Sequence, residues 1–245
     1  MLINTDVNLP FSAIRLLQQG WHLLMPSACL WCSLPVQSAT SQLCSACQQA
    51  LPQLPYRLCH YNLLWLPQVA NGLKKPAFDQ LLSVSLYQQP YQHWLQQWKF
   101  FTDEAAGELL QQQFCALLAE YHSAGRHLPD AILYVPMHAS RQRKRGYNQA
   151  QLLAQAAASQ LKLPLLDILQ KTRRLPPQVG LSRKQRQRNL RHSFSLSANI
   201  SLPAHLALVD DVVTTGATAN EICRLLRRHG VRQISLWTVA VTALT

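Results

Sequence analysis

The stretch that most constrains this chain is 204–221, Ala-His-Leu-Ala-Leu-Val-Asp-Asp-Val-Val-Thr-Thr-Gly-Ala-Thr-Ala-Asn-Glu. The apolar run Leu206 to Val209 reads as a strand buried on both faces. Two acids, Asp210 and Asp211, close it, and Thr214, Thr215, Gly216, Ala217 and Thr218 follow as a hydroxyl-rich turn. Ile222, Leu225 and Leu226 then recur at helical spacing, and Gly230 stands where a C-cap falls. Thr218 and Glu221 have capping-box spacing, which predicts a helix start at Thr218.

This order has a chemical meaning. Ligands of parallel sheets bind beyond the carboxyl ends of the strands. A helix N-terminus presents free N–H groups and a positive dipole end to a phosphate. Threonine hydroxyls add donors, and Gly216 lets the backbone approach closely. The carboxylates accept hydrogen bonds from sugar hydroxyls. The turn therefore combines a phosphate cradle with a diol holder, which fits a phosphorylated ribose. The spacing of a nucleotide P-loop is absent.

The segment Val209–Thr218 resembles the PRPP-binding motif of type I phosphoribosyltransferases. The resemblance implies that Asp210 and Asp211 hold the ribose hydroxyls. It implies that Thr214, Thr215, Gly216, Ala217 and Thr218 hold the 5′-phosphate, with Mg²⁺ accompanying PRPP.

Cysteine usage marks a second feature. Cys29-Leu-Trp-Cys32 and Cys44-Ser-Ala-Cys47 are two knuckles with eleven residues between them. Such a set supplies four thiolates to one structural Zn²⁺, whose binding would fold a segment too small for its own core. A pair of redox dithiols is the alternative, but no thioredoxin-like βαβ context surrounds them. Cys59 and His60 lack a second knuckle and read as ordinary residues. No secretory signal is evident, and no apolar run reaches the length of a membrane span. With seven cysteines, these features predict a cytoplasmic, metal-binding protein over a disulfide framework.

Lys and Arg number 23 against 11 Asp and Glu, a net charge of +12. Such a surface favours polyphosphates, nucleic acid or anionic membrane. The positive charge clusters. Arg141, Arg143, Lys144 and Arg145 lie in a loop after the strand at 131–136. Arg183, Lys184, Arg186, Arg188 and Arg191 lie in a second stretch, beyond Lys171, Arg173 and Arg174. Pro176, Pro177 and Gly180 predict a mobile loop there. Its cations suit either a flap over a pyrophosphate or a track for a nucleic-acid backbone. Arg141, Lys144, Arg145, Arg183 and Lys184 are the pyrophosphate and flap candidates, and Arg183, Arg186, Arg188 and Arg191 the nucleic-acid candidates.

Residues 11–25 read as a short amphipathic helix, and 103–122 as a helix with Ala106, Leu109, Leu110, Phe114, Leu117 and Leu118 on one face. Helices are also predicted at 91–98 and 148–162, and strands at 83–87, 131–136 and 234–241. The alternation predicts a parallel α/β sheet. Turn residues between 65 and 80 place a domain boundary there, giving 1–75 as the N-terminal helix and cysteine region and 80–245 as the α/β domain.

Taken in order, the cysteine knuckles, Lys99-Phe100, Arg145-Gly146-Tyr147-Asn148-Gln149, Arg186 through Phe194 and Asp210 through Thr218 resemble the ComF/GntX family. The resemblance implies a type I phosphoribosyltransferase-like parallel sheet flanked by helices, with a small zinc-ribbon-like domain. It also implies a cytoplasmic role in competence or in the use of external DNA, with DNA-uptake proteins as partners. Two functions remain open: PRPP-dependent transfer to an unknown acceptor, and a non-catalytic module binding a nucleotide or single-stranded DNA. Purine-salvage phosphoribosyltransferases carry a general-base Asp where this chain has Thr214, which counts against purine-base transfer.

Overall fold

The computed structural model describes residues 25–38, 40–171, 193–197 and 201–244. The chain divides into two compact units, Met1–Pro52 and Gln53–Thr245. The predicted helix at 11–25 lies outside the described residues except for its last position.

In the smaller unit, residues 27–36 fold back on themselves. Cys29 N donates to Leu34 O at 2.8 Å and Val36 N to Ser27 O at 2.9 Å, around an antiparallel bridge between Ala28 and Pro35. Helix α1, Ser45–Gln49, follows, with Cys44 as its N-cap.

The larger unit is built on four parallel strands: β1 (Gln80–Leu86), β2 (Ala131–Tyr134), β5 (His205–Val213) and β6 (Gln233–Val241), in the order β1-β6-β5-β2. Leu206 to Val209 of β5 and Leu236, Trp237 and Val239 of β6 are fully buried. These central strands therefore read as chargeless, predominantly apolar runs up to Asp210 in β5 and throughout β6 after Gln233. A separate antiparallel pair, β3 (Leu169–Lys171) and β4 (Phe194–Leu196), aligns Lys171 with Phe194. The helices are α2 (Pro67–Ala70), α3 (Tyr91–Phe100), α4 (Glu104–Ser123), α5 (Ala139–Arg145), α6 (Gln149–Leu161) and α7 (Ala217–Arg228). Every residue of the predicted apolar face of α4 is buried, and Asp103 caps the helix by accepting from Ala106 N at 3.1 Å. No helix among the described residues is long and apolar enough to cross a membrane.

Three expectations change. The division falls after Pro52 instead of between 75 and 80, because residues 53–79 are bonded to the sheet. The Tyr56 hydroxyl donates to Ser83 O and accepts from Ser83 N, while Asn62 accepts from Leu81 N at 3.1 Å and donates to Asp79 O at 3.0 Å. The basic loop after β2 is mostly helical, as α5, capped by the His138 ring accepting from Ser140 N and closed by Gly146 at φ 90°. Helix α7 begins one residue before Thr218: Gly216, at φ 72° and ψ 8°, is its N-cap, so the capping box does not form. Gly230 ends that helix as expected, at φ 91°, with Gly230 N on Arg227 O at 3.1 Å.

Candidate functional site

Strand β5 carries Asp210 and Asp211 as in-strand residues, two positions before its end. Their Cβ atoms leave opposite faces of the strand, but both carboxyls turn forward onto the next backbone N–H and lie within reach of each other. Asp210 Oδ1 accepts from Asp211 N at 2.9 Å, and Asp211 Oδ1 accepts from Val212 N at 2.7 Å. The strand end is fixed from β6, where Thr238 Oγ1 donates to Asp211 O at 2.8 Å.

Beyond the strand, the carbonyls of the turn are held from behind. Thr242 Oγ1 donates to Thr214 O at 3.1 Å, and Lys74 N donates to Thr215 O at 3.2 Å. Asn220 on α7 locks the segment carrying Lys74: it accepts from Ala77 N at 2.7 Å and donates to Lys74 O at 2.9 Å. Gly216 is buried, and a Cβ there would stand 3.4 Å from Leu73 Cδ2 on a left-handed backbone. The turn thus packs closely on 73–78 while α7 starts without a side-chain cap. That leaves the first N–H groups of a twelve-residue helix as anion donors. Thr214 is exposed, and Thr215, Ala217 and Thr218 are half-buried.

Cations surround the acid pair. Lys99, in the last turn of α3, places Nζ 2.8 Å from Asp211 Oδ2. Arg145, the last residue of α5, donates from Nη1 to Gln149 Oε1 at 2.8 Å and stands 5.9 Å from the centre of the Phe100 ring. Burial lowers the pKa of Arg145, and the negative charge of Asp211 opposes that shift. Lys171 lies 5.4 Å from the centre of the Phe194 ring. Burial and then the nearby Arg141 lower its pKa, while Asp210 raises it. Asp210 itself is pushed well above the usual carboxylate range, first by burial and then by the Asp211 charge beside it.

The structure thus places Arg145 within electrostatic reach of Asp211, and both Arg141 and Asp210 within reach of Lys171, at the strand end that leads into the turn 214–218. The Lys144 side chain and all of Arg183, Lys184, Arg186, Arg188 and Arg191 lie outside the described residues. Sequence reading gave no site role to Lys99 or Lys171. The signal for Lys99 was local: a lysine ending an amphipathic helix, followed by two phenylalanines. Lys171 was hidden in a longer basic run, and only its pairing in β3 distinguishes it.

In the smaller unit, the sulfurs of Cys29, Cys32, Cys44 and Cys47 all lie within 4.8 Å of one another, and Cys32 Sγ is 3.7 Å from Cys44 Sγ. Tetrahedral thiolates around Zn²⁺ stand roughly 3.8 Å apart, given Zn–S bonds of about 2.3 Å, so the set fits one such ion. Backbone N–H groups point at the sulfurs: Trp31 N at 3.5 Å from Cys29 and Cys47 N at 3.4 Å from Cys44. Burial raises the Cys29 pKa, but the N–H groups of Cys32, Cys44 and Trp31 outweigh it and bring the thiol to about 6. Cys47 is pushed up by burial and by its hydrogen bonds to Cys32 and Cys44. Binding a metal would draw the protons from these thiols, since the ion takes thiolates as ligands. Cys59 is buried in the larger unit, with its thiol on Tyr56 O at 3.7 Å.

A parallel sheet with an acid pair and an uncapped helix N-terminus at one strand end defines the phosphoribosyltransferase class of α/β proteins. Residues 148–242 match the family model described as the phosphoribosyl transferase domain. The whole chain has relatives as well. It is 37% identical over 222 residues to competence protein F of Haemophilus influenzae, covering 86% of this chain and 96% of that protein. It is 33% identical over 229 residues to DNA utilization protein YhgH of Salmonella typhimurium, covering 90% and 99%. Competence protein ComFC of Streptococcus pneumoniae is 26% identical over 159 residues, 64% of this chain and 66% of that one. The chain belongs to the ComF family.

Proposed function

We propose that this chain binds the ribose 5-phosphate moiety of PRPP at the β5–α7 turn and acts as a phosphoribosyltransferase in the cytoplasmic handling of external DNA. The observation that carries the reading is the pairing of an acid dyad with an uncapped helix N-terminus, one turn apart at the end of a central strand. Asp210 and Asp211 take the ribose hydroxyls, and the N–H groups and hydroxyls of 214–218 take the 5′-phosphate. Arg141 and Arg145 take the leaving pyrophosphate, where cations stabilise the departing charge, with Lys144 as a further candidate from the sequence. Lys99 orients Asp211. Mg²⁺ fits as an ion carried by the diphosphate, since it keeps water and phosphate oxygens as ligands, and it would neutralise part of the diphosphate charge. The four cysteines hold zinc as a structural element. The competence and DNA-utilization names of the relatives support the biological role.

Calorimetric titration with PRPP tests the reading, with and without Mg²⁺ and with an Asp210→Asn/Asp211→Asn double variant. Saturable Mg²⁺-dependent heat that the variant loses is expected. No heat from a folded, zinc-loaded protein would sink it.

A second reading, a module that holds single-stranded DNA without transfer, is favoured by the net charge of +12 and by the exposed Arg141 and Arg143 of α5. Such binding would persist in the double aspartate variant. It would fall steeply with salt and lose slope when Arg141 and Arg143 are neutralised.

A further inference from the structure

We propose that Asn220 and Thr242 are positioning residues for the phosphate of the bound ligand. They hold the carbonyls of the β5–α7 turn away from it, so that the turn presents only N–H and hydroxyl donors. The proposal rests on the ribose-phosphate reading above and adds two residues that lie outside the stretch Val209–Thr218.

A phosphate dianion offers only acceptors, and so does a carbonyl oxygen. A turn that binds a phosphate through its backbone therefore points N–H inward and C=O away. Four consecutive carbonyls are engaged here. Val213 O accepts from Thr242 N at 2.9 Å, and Thr214 O from Thr242 Oγ1 at 3.1 Å. Thr215 O accepts from Lys74 N at 3.2 Å, and Gly216 O from Asn220 N at 2.8 Å. The last of these is ordinary helix bonding. The other three come from residues far from the turn in sequence, one just after β6 and one in the segment 73–78.

The grip on that segment is the second observation. Asn220 is 3% exposed and its amide works at both ends. Oδ1 accepts from Ala77 N at 2.7 Å, while Nδ2 donates to Lys74 O at 2.9 Å and to Lys75 O at 3.3 Å. One donor and two acceptors as partners fix which end of the amide is which. The gripped backbone is strained. Lys75 is left-handed at φ 46° and precedes Pro76. A residue with a side chain rarely adopts that conformation, and it persists only where its neighbours impose it. The Asn220 bonds impose it here and so keep Lys74 N aimed at Thr215 O. Leu73 and Phe78, buried in the same segment, back Gly216 at 3.4 Å and 3.8 Å from where its Cβ would stand. Asn220 belongs to α7, the helix whose uncapped N-terminus faces the ligand. One side chain thus ties the back of the turn to the helix that supplies its donors. An apolar residue at 220 would leave the Lys75 conformation and the Thr215 carbonyl unheld.

The test uses ribose 5-phosphate on the full-length, zinc-loaded chain, by calorimetry and by phosphorus NMR of the bound ligand, with melting curves to confirm folding. Wild type is compared with Asn220→Ala and with Thr242→Val, which keeps its backbone N–H on Val213 O. Asn220→Ala should bind roughly tenfold more weakly, the scale of one charge-assisted hydrogen bond, and Thr242→Val several-fold more weakly. The titration of the bound phosphate separates positioning from general loosening. Donors stabilise the dianion, so phosphate bound to wild type should titrate below the value of about 6 that a free monoester shows. In both variants it should titrate at or above that value, because a carbonyl now competes for the site. Damage elsewhere in the fold would weaken binding and leave the titration where it was. Unchanged affinity in the folded variants, or weaker binding with the wild-type titration, would overturn the proposal and leave the ribose-phosphate site standing. If Asn220→Ala does not fold, Thr242→Val decides alone. Failure of folded wild type to bind ribose 5-phosphate would overturn the underlying site reading as well.

Discussion

Lys99 and Asp211 are 112 positions apart in the chain and 2.8 Å apart in the fold. Asp210, its neighbour, has no such amine in contact among the described residues. It accepts from Asp211 N, and burial pushes its pKa up. Two identical side chains side by side on one strand are thereby made different: one is ion-paired, the other is biased toward the protonated form. The difference follows from their contacts: Lys99 pairs with Asp211, while Asp210 is desolvated and feels the Asp211 charge.

The Lys99–Asp211 pair has 32% and 14% of its side chains exposed, between a surface pair and a buried one. Replacing Lys99 by Met should cost about 1–2 kcal/mol of stability, because Asp211 is left without its partner in a mostly desolvated position. Urea unfolding of the zinc-loaded protein measures this. PRPP binding should weaken in the same variant, since the carboxylate loses its orientation. An unchanged affinity would remove Lys99 from the site.

Asp210 makes a prediction about pH. A carboxyl whose pKa rises on folding binds more protons folded than unfolded, so its contribution favours the fold at low pH. That contribution is lost as pH rises from the ordinary carboxylate value through the raised one. At pH 7.5, well above the ordinary carboxylate value, Asp210 therefore opposes folding. Asp210→Asn should be more stable than wild type at pH 7.5, and the gain should shrink as the pH approaches 4. Taking the difference between the two proteins cancels the acid sensitivity of the zinc cluster, which both share. A gain that grows at low pH would contradict the direction of the shift.

Most of the framework was legible because the residues that form it signal locally. Leu206–Val209 is an unbroken apolar run and Ile234–Val241 a chargeless, mostly apolar one, and such runs become central strands of a parallel sheet. The α4 face and the Asp103 cap follow from helical periodicity. The cysteine spacing alone indicated four sulfurs within reach of one ion. What escaped depends on partners distant in sequence. Lys99 means little until α3 is packed beside the end of β5. Residues 65–80 look like a linker because Pro67, Asn71-Gly72 and Pro76 are turn residues, yet Asn220, some 145 positions later, pins them under the turn. The helix start was misplaced because Gly216 takes a left-handed N-cap that Thr218 and Glu221 would otherwise have claimed.

The cysteine cluster predicts metal content and local folding. Purified protein should carry about one zinc ion per chain by elemental analysis, and Cys44→Ser should hold far less, since three thiolates bind the ion much more weakly. Chelation should change the fluorescence of Trp31, which follows Cys29 in the first knuckle and whose N–H points at that sulfur. The larger unit has its own core, so its cooperative unfolding transition should survive metal removal. Absence of zinc in freshly prepared protein, with all four thiols reduced, would refute the structural-zinc assignment.

Gly107 offers a test in which propensity and packing oppose each other. It lies in the first turns of α4, where alanine normally gains about 1 kcal/mol over glycine. Here the added methyl would stand 2.4 Å from Trp98 Nε1 and 2.7 Å from Trp98 Cδ1. The indole is buried and stacked on Tyr147, so it cannot swing aside as a surface side chain could. Gly107→Ala should therefore destabilise by about 1–3 kcal/mol, as overpacking does, despite its better helix propensity. The helices must separate to relieve the clash, which moves the end of α3 and with it Lys99. Affinity for PRPP should fall alongside stability, although Gly107 touches no ligand. Pairing the substitution with Trp98→Leu should restore much of the stability by making room for the methyl. A Gly107→Ala protein as stable as wild type would mean that the α3–α4 contact is looser than this close approach implies, and that the position of Lys99 must be set by something else.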